Sequence, residues 1–412
     1  MLLDISPLRR NRDFRFLFAG QFVSAIGSFV SYVALPVQIY QLTHSSAVVG
    51  LLGTVQLVPL ALTALWGGAV ADAFDRRRLL MWCEIVLMCC ALALAGNALA
   101  PRPSVTLLFA VAALMSAVSG FHSPALESLT PRLVAPAELQ AVSALTSLRG
   151  TTAMIGGPAL AGLCIAAFGT AATFAFDAIS YALSLCALAM IQGIPPAESA
   201  PAVGFSSIRE GLVYAASRPE LIGTYLVDII AVFFAMPMAV FPALAAQWGG
   251  AAVGYLYSAM SIGALLVTLL SGWTRHVERH GVAVILGAIS WGVGILFLGH
   301  AQTLFVAVVC LAFAGAGDAI SGLFRMTIWN ETIPTELRGR MAAIEQLSYM
   351  TGPLLGNARA GFMAERFGIG RSIVWGGLAC VICVAATVPA LPAFWRYRRR
   401  VGRQVDRPTG RA

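Results

Sequence analysis

Lysine is absent from this 412-residue chain, and charged residues of any kind amount to only 11%. Ordinary soluble domains carry about 25%, while hydrophobic residues here reach 58%. A soluble globular class is excluded. The net charge of +8 rests wholly on arginine. Those arginines do not form one basic patch, so nucleic acid is not an expected partner. The alternating segments of about ten residues that build a membrane β-barrel are missing. No G-x-x-x-x-G-K-[ST] loop occurs, which excludes an ATP-driven pump built within the chain. No loop is long enough to hold a catalytic domain, so the chain is not expected to be an enzyme, and neither a cofactor nor a metal is implied. The eight cysteines all fall inside apolar stretches, without the spacing of a disulfide framework or of a zinc site. Cys380 and Cys383 form a C-x-x-C in mid-stretch and read as inert packing. No cleavable leader is visible, because the first apolar stretch is too long and lacks a small-residue cleavage site.

What the chain has is apolar runs. A hydrocarbon core about 30 Å thick needs about 20 apolar residues per spanning helix, and the amides of each span must be satisfied within it. Twelve such spans are expected, at 16–41, 47–71, 79–99, 104–128, 139–167, 171–192, 220–246, 251–274, 281–299, 303–329, 340–366 and 371–392. This divides the chain into a cytoplasmic N-terminus (1–15), a six-helix bundle (16–192), a linker (193–219), a second six-helix bundle (220–392) and a basic tail (393–412). Within the linker, SSIREGLVYAASRP is amphipathic and suits the membrane surface. The tail, FWRYRRRVGRQVDRPTGRA, is expected to be disordered. Trp66, Trp82, Trp248, Trp273 and Trp395 fall at span ends and read as interface anchors.

The arginines orient the chain. With twelve spans, both termini and every even-to-odd loop share one side, which carries 21 arginines against three (Arg102, Arg366, Arg371) on the other. The positive-inside rule places both termini in the cytoplasm of a multi-pass cell-membrane protein.

The chain also repeats itself after about 200 residues, the distance between its internal matches. AVVGLLGTVQLVPLALTALWGG in the second span matches AAVGYLYSAMSIGALLVTLLSG in the eighth. APAELQAVSAL matches IPTELRGRMAAI, and Gly157-Pro158 answers Gly352-Pro353. Composition alone explains apolar similarity but not these landmarks in the same order. Two parallel six-helix repeats are expected, the arrangement of a transporter whose site lies between its halves.

The loop GGAVADAFDRRRLL, with Gly68, Asp72, Arg76, Arg77 and Arg78 in place, resembles the signature of the major facilitator superfamily. Ala73 and Asp75 depart from the usual arginine and glycine, and an acidic Asp75 is similar to the bacterial enterobactin-exporter and macrolide-efflux branch. The resemblance spans nearly the whole chain and implies the major facilitator fold. It also implies a cytoplasmic gate, in which Asp72 sits near a helix N-terminus or an arginine of the other half and latches one state shut. A solvated loop would explain the arginines but not the glycine and aspartate. The counterpart loop SGWTRHVERHG keeps Gly272 and Arg279 but has His276 where the aspartate was. Ala153, Gly157, Pro158, Ala161 and Gly162 resemble the antiporter motif of drug exporters, with alanine twice replacing glycine. Tight helix packing is the alternative reading of that motif.

Charges inside spans cost several kcal/mol facing lipid, by order of magnitude, and so mark either a site or a buried pair. Arg149, Asp177, Asp228, Asp318, Arg325, Glu345 and Arg359 lie within spans, with Glu127 at the end of the fourth. The acids are candidate proton carriers, Asp177 and Asp228 foremost. Arg149, which matches an arginine of the enterobactin-exporter-like sequences, is a candidate for binding an acidic group. Static pairing, for example of Glu345 with Arg325, is the competing reading. His122 reads as a packed polar residue rather than a proton relay. Tyr32, Phe121, Phe233, Phe234 and Trp291 could line an amphipathic cavity, but lipid contact or core packing is their default reading.

The resulting expectation is a monomeric secondary efflux transporter in membrane lipid, moving a small amphipathic siderophore or drug-like compound by alternating access and proton antiport. A proton-coupled importer of a small metabolite is the alternative, since coupling and not fold sets direction. A non-transporting scaffold or receptor is the remaining class, against which the intramembrane charges and duplicated gates argue.

Overall fold

The computed structural model describes residues 4–192, 213–334 and 337–398, without the side chains of 65–69, 71–73, 338–340 and 342–350. Most of the linker and of the basic tail lies outside these residues, as do the side chains of Trp66, Asp72 and Glu345 and the surroundings of Gly68. Among the described residues there is no strand, and ten helices are long and apolar enough to cross a membrane.

Four long helices open the chain: α1 (Arg12–Thr43), α2 (Ser46–Ala73), α3 (Arg76–Leu99) and α4 (Val105–Leu129). The helix Leu139–Ala189 is two in one ladder. Gly169, at φ 78°, reverses the chain between residues 139–168 (α5) and 170–189 (α6). Only glycine adopts that conformation without strain. Six more follow: α7 (Pro219–Ala235), α8 (Ala252–Leu269), α9 (His280–Leu298), α10 (Leu304–Thr332), α11 (Arg338–Phe367) and α12 (Ile369–Ala390). Gly368, at φ 90°, turns α11 into α12 as Gly169 turns α5 into α6. Each of the two glycines follows a phenylalanine, Phe168 and Phe367. α11 is more polar in sequence than its neighbours, with Asn357 and Arg359 in its second half.

Helix starts follow local chemistry. The side-chain oxygens of Ser45, Ser104 and Thr303 accept from the amides of Val48, Leu107 and Val306 at 3.3–3.4 Å, and Asp75 accepts from Arg78 at 3.1 Å. Each fills one donor left free at a helix N-terminus. Outward faces are apolar: Leu51, Val58 and Leu62 on α2, and Phe305, Val309 and Phe313 on α10, are exposed at helical spacing, as contact with lipid tails requires.

The seventh span is not the continuous helix its hydropathy suggests. Pro237 has no amide and its ring excludes the carbonyl four residues back, so α7 stops at Ala235 and the chain resumes as a tight turn at Met238–Val240 and a short helix at Phe241–Ala245. The freed backbone groups are recovered by side chains. Arg359 Nε donates to the Phe233 carbonyl at 3.0 Å, the Ala239 amide donates to Asn357 Oδ1 at 3.0 Å, and Tyr257 donates to the Met238 carbonyl at 3.2 Å. Broken backbone at membrane depth is tolerated where protein satisfies it in this way.

The two halves meet along α2 with α11 and along α5 with α8. Gly50 lies against Asn357 and Gly361, and Gly254 lies against Pro158 and Gly162. Gly50 and Gly254 are the glycines that align in the internal repeat, and each makes the corresponding crossing. The described crossings gather at the end bearing the 44–45, 169, 246–251 and 368 turns. Toward the end bearing the termini, nothing stands within 4 Å of a Cβ placed on Gly150, and Leu148, Leu266 and Leu269 are exposed. Among the described residues, no glycine crossing between the halves is found at that end.

Candidate substrate cavity and its charge networks

A cavity of about 420 Å³ lies between the halves. Helices α1, α2 and α4 supply most of its wall, and the broken end of α7, α8 and α11 close it with Met238, Tyr257 and Asn357. Six serines, Gln56 and Asn357 give it hydrogen-bonding groups, and Phe29, Tyr32 and Tyr181 give it ring faces. Among the described lining residues no carboxylate or arginine appears, and His122 and three tyrosines are the titratable ones.

Behind this wall the N-terminal half holds two buried acids. Gln21, Ser24, Ser28 and Ser31 recur at +3, +4 and +3 along α1 and so share one face. Gln21 donates to Glu84 at 2.7 Å and Ser24 to the same carboxylate at 3.4 Å. Ser28 bonds the Tyr181 hydroxyl at 2.9 Å, and Ser31 bonds Asp177. Asp177 also accepts from Ser180 at 3.2 Å. His122 on α4 reaches Glu84 at 3.1 Å while keeping 17% of its side chain exposed to the cavity. Both Glu84 and Asp177 are 0% exposed.

The C-terminal half handles its charges differently. Arg325 forms an ion pair with Asp228 and lies 3.7 Å from Asp318. A permanent cation there balances the acids, whereas in the N-terminal half neutral donors and one histidine do so.

Asp177 stands one layer behind the cavity, through Ser31, while Asp228 and Asp318 stand with Arg325 outside its lining. The Glu345–Arg325 pairing falls on a side chain outside the description. Arg149 is half-buried and no ion pair joins it to Asp177, whose partners are Ser31 and Ser180. Arg359 serves the break in α7. Glu127 is exposed. Tyr32 lines the cavity, whereas Phe121, Phe233, Phe234 and Trp291 do not. The antiporter-like residues form a seam: Gly157 packs on Phe29 of α1, Pro158 and Gly162 pack on Gly254 of α8, and Ala153 and Ala161 are fully buried. In the gate loop, Asp75 caps α3, Arg76 Nε bonds Ser128 at 2.9 Å, and Arg77 bonds the carbonyls of Leu188 and Ala189 at 2.8 Å. These partners all belong to the same half.

Sequence reasoning passed over Glu84, although an acid in the run MWCEIVLMCC is the same signal that marked Asp177. The one-face polar pattern on α1 was equally readable.

The family model described as transmembrane secretion effector, within the major facilitator superfamily, matches residues 4–396. The enterobactin exporter EntS of Shigella boydii serotype 4 (strain Sb227) is 27% identical over 400 residues, covering 97% of this chain and 96% of its own. EntS of Escherichia coli O157:H7 (strain EC4115 / EHEC) is also 27% identical over 400 residues, with the same coverage. Among solved structures, a POT family transporter in complex with 5-aminolevulinic acid superposes with a TM-score of 0.74 at 12% identity, over 93% of this chain and 97% of that one. The nucleoside transporter NupG superposes with a TM-score of 0.73 at 13% identity, over 93% and 99%. At such identities they speak for the fold. The chain belongs to the transmembrane secretion effector family of major facilitator transporters, on the enterobactin-exporter branch.

Proposed function

We propose that this chain is a secondary exporter of a siderophore-like, small amphipathic compound, working as a monomer by alternating access and driven by inward proton flow. The observation that carries the reading is the cavity of about 420 Å³ between halves whose described crossings gather at one end. With the termini cytoplasmic, as the arginine asymmetry favours, the closed end is external and the cavity faces inward. Its serines, amides and rings, with no fixed charge among the described lining residues, suit a compound rich in hydroxyl and aromatic groups. The relatives named as enterobactin exporters support a siderophore as cargo. Arg149, half-buried and near half depth in α5, is placed in this reading on the cytoplasmic approach, where it attracts an acidic group.

The test is transport in proteoliposomes of known orientation, with metal-free enterobactin as probe. Movement from the cytoplasmic to the external face, accelerated by an opposing proton gradient, is the expected result. Movement with the proton would favour the importer, and no gradient-dependent movement would overturn the reading.

A further inference from the structure

We propose that Glu84 and His122 form the proton-loading pair of this transporter, with His122 as the gate between the buried carboxylate and the cavity. The proposal rests on the exporter reading and extends it to residues outside its expected coupling acids. Glu84 is fully buried on α3, yet its ligands are all movable or neutral: Gln21 at 2.7 Å, Ser24 at 3.4 Å and His122 at 3.1 Å. A carboxylate locked to arginine must break an ion pair to accept a proton. One held by an amide, a hydroxyl and an imidazole need only exchange hydrogen-bond roles. Asp228 is the counter-example in the same molecule, held by Arg325.

The second observation is access. His122 touches Glu84 through Nε2 and also lines the cavity, so it bridges the buried acid and the compartment where cargo binds. The other groups facing Glu84 are few. From α1 come Gln21 and Ser24, neither titratable. From α6 come Asp177 and Tyr181, close enough to act electrostatically, and from α3 itself Cys83. Arg76 lies eight residues away on α3 and bonds Ser128, about 12 Å along the axis at ~1.5 Å per residue.

The step balances simply. In the loaded state an O–H bond holds the proton on Glu84. In the state open to the termini, that O–H breaks as N–H forms on His122 Nε2, and the imidazolium gives its proton to cavity water. Glu84 is left as an anion held by Gln21 and Ser24, and the next proton from the outer side reforms the O–H.

The experiment is pH-difference infrared spectroscopy of the whole protein in lipid vesicles without cargo, paired with enterobactin-driven proton flux in the same vesicles. Glu84→Gln should lose one protonated-carboxyl band and lose coupled proton flux, while downhill counterflow of enterobactin persists. His122→Gln should keep the band but shift its titration midpoint and slow proton release at least tenfold. Asp228→Asn should leave that band in place. A spectrum unchanged by Glu84→Gln, or a midpoint unmoved by His122→Gln, overturns the proposal. If wild type moves no enterobactin, the cargo reading fails, but the infrared titration still decides for or against Glu84.

Discussion

Two arginines at membrane depth stand in different surroundings. Arg325 is 4% exposed and paired with Asp228. Removing one partner of a buried pair leaves an uncompensated charge, which costs about 3–5 kcal/mol. Arg325→Ala should therefore lower the thermal midpoint sharply, and adding Asp228→Asn to it should recover most of the loss; unfolding in detergent followed by intrinsic fluorescence reads both. An unaltered midpoint in the single variant would mean that the pair does not hold the C-terminal half together. Arg149 has no ion-pair partner among the described residues, so its removal should spare stability and abolish export. Arg149→Lys keeps the charge but loses the planar multi-donor fork and should restore activity only in part. Vesicle uptake of enterobactin by the two variants, at matched membrane levels, measures this. Full activity in Arg149→Ala would leave the residue without a role in transport.

At the scale of elements, the close helix crossings of the closed end depend on glycine. A Cβ on Gly254 would stand 2.6 Å from the Pro158 carbonyl and 3.0 Å from Gly162 Cα. Gly254→Val should wedge α8 from α5, lengthen spin-label distances between the 44–45 and 246–251 turns, and cut transport at least tenfold. That factor corresponds to about 1.4 kcal/mol against the closed state. Gly96→Ala, with nothing within 4 Å of the added carbon, should be silent. The aligned glycines, the Gly157-Pro158 landmark and the long apolar runs were all legible in the sequence, because lipid imposes a length and close crossings impose small residues. Less legible was what depends on partners distant in the chain. Pro237 signals a break, but nothing local says that Asn357, Arg359 and Tyr257 satisfy it. Asp177 and Asp228 look alike as single acids in apolar helices, and only the fold gives one of them serines and the other an arginine. The turn at Gly169 separates two spans while leaving the helical ladder almost unbroken, so the boundary between the fifth and sixth spans is visible as a glycine rather than as a loop.

For the molecule as a whole, the arginine asymmetry and the two parallel repeats make a joint claim about topology. Reporter fusions after residues 44, 102, 170 and 249 should read as external, and those after 75, 135, 205, 278 and 336 as cytoplasmic. A reversed second half would break the parallel arrangement on which the Gly50 and Gly254 crossings depend. Given that topology, the described crossings close the external end, as the proposed inward-facing state requires. Arg76 and Arg77 fit this state, since the bonds described for them go to Ser128, Leu188 and Ala189 within the same half. In the proposed cycle, a latch between the halves belongs to the opposite state, in which α2 and α3 would approach α11 from the cytoplasmic side. Asp72 is the residue of the gate loop suited to that role, because a carboxylate at a helix N-terminus or beside an arginine gains only when the other half arrives. Asp72→Asn should leave insertion and folding intact, slow transport, and raise the population open to the cytoplasm. Single-pair distances across the cytoplasmic gate, recorded with and without enterobactin, measure that population. Unchanged distances and rates would return the loop to a topology signal, its arginines explained by the membrane alone.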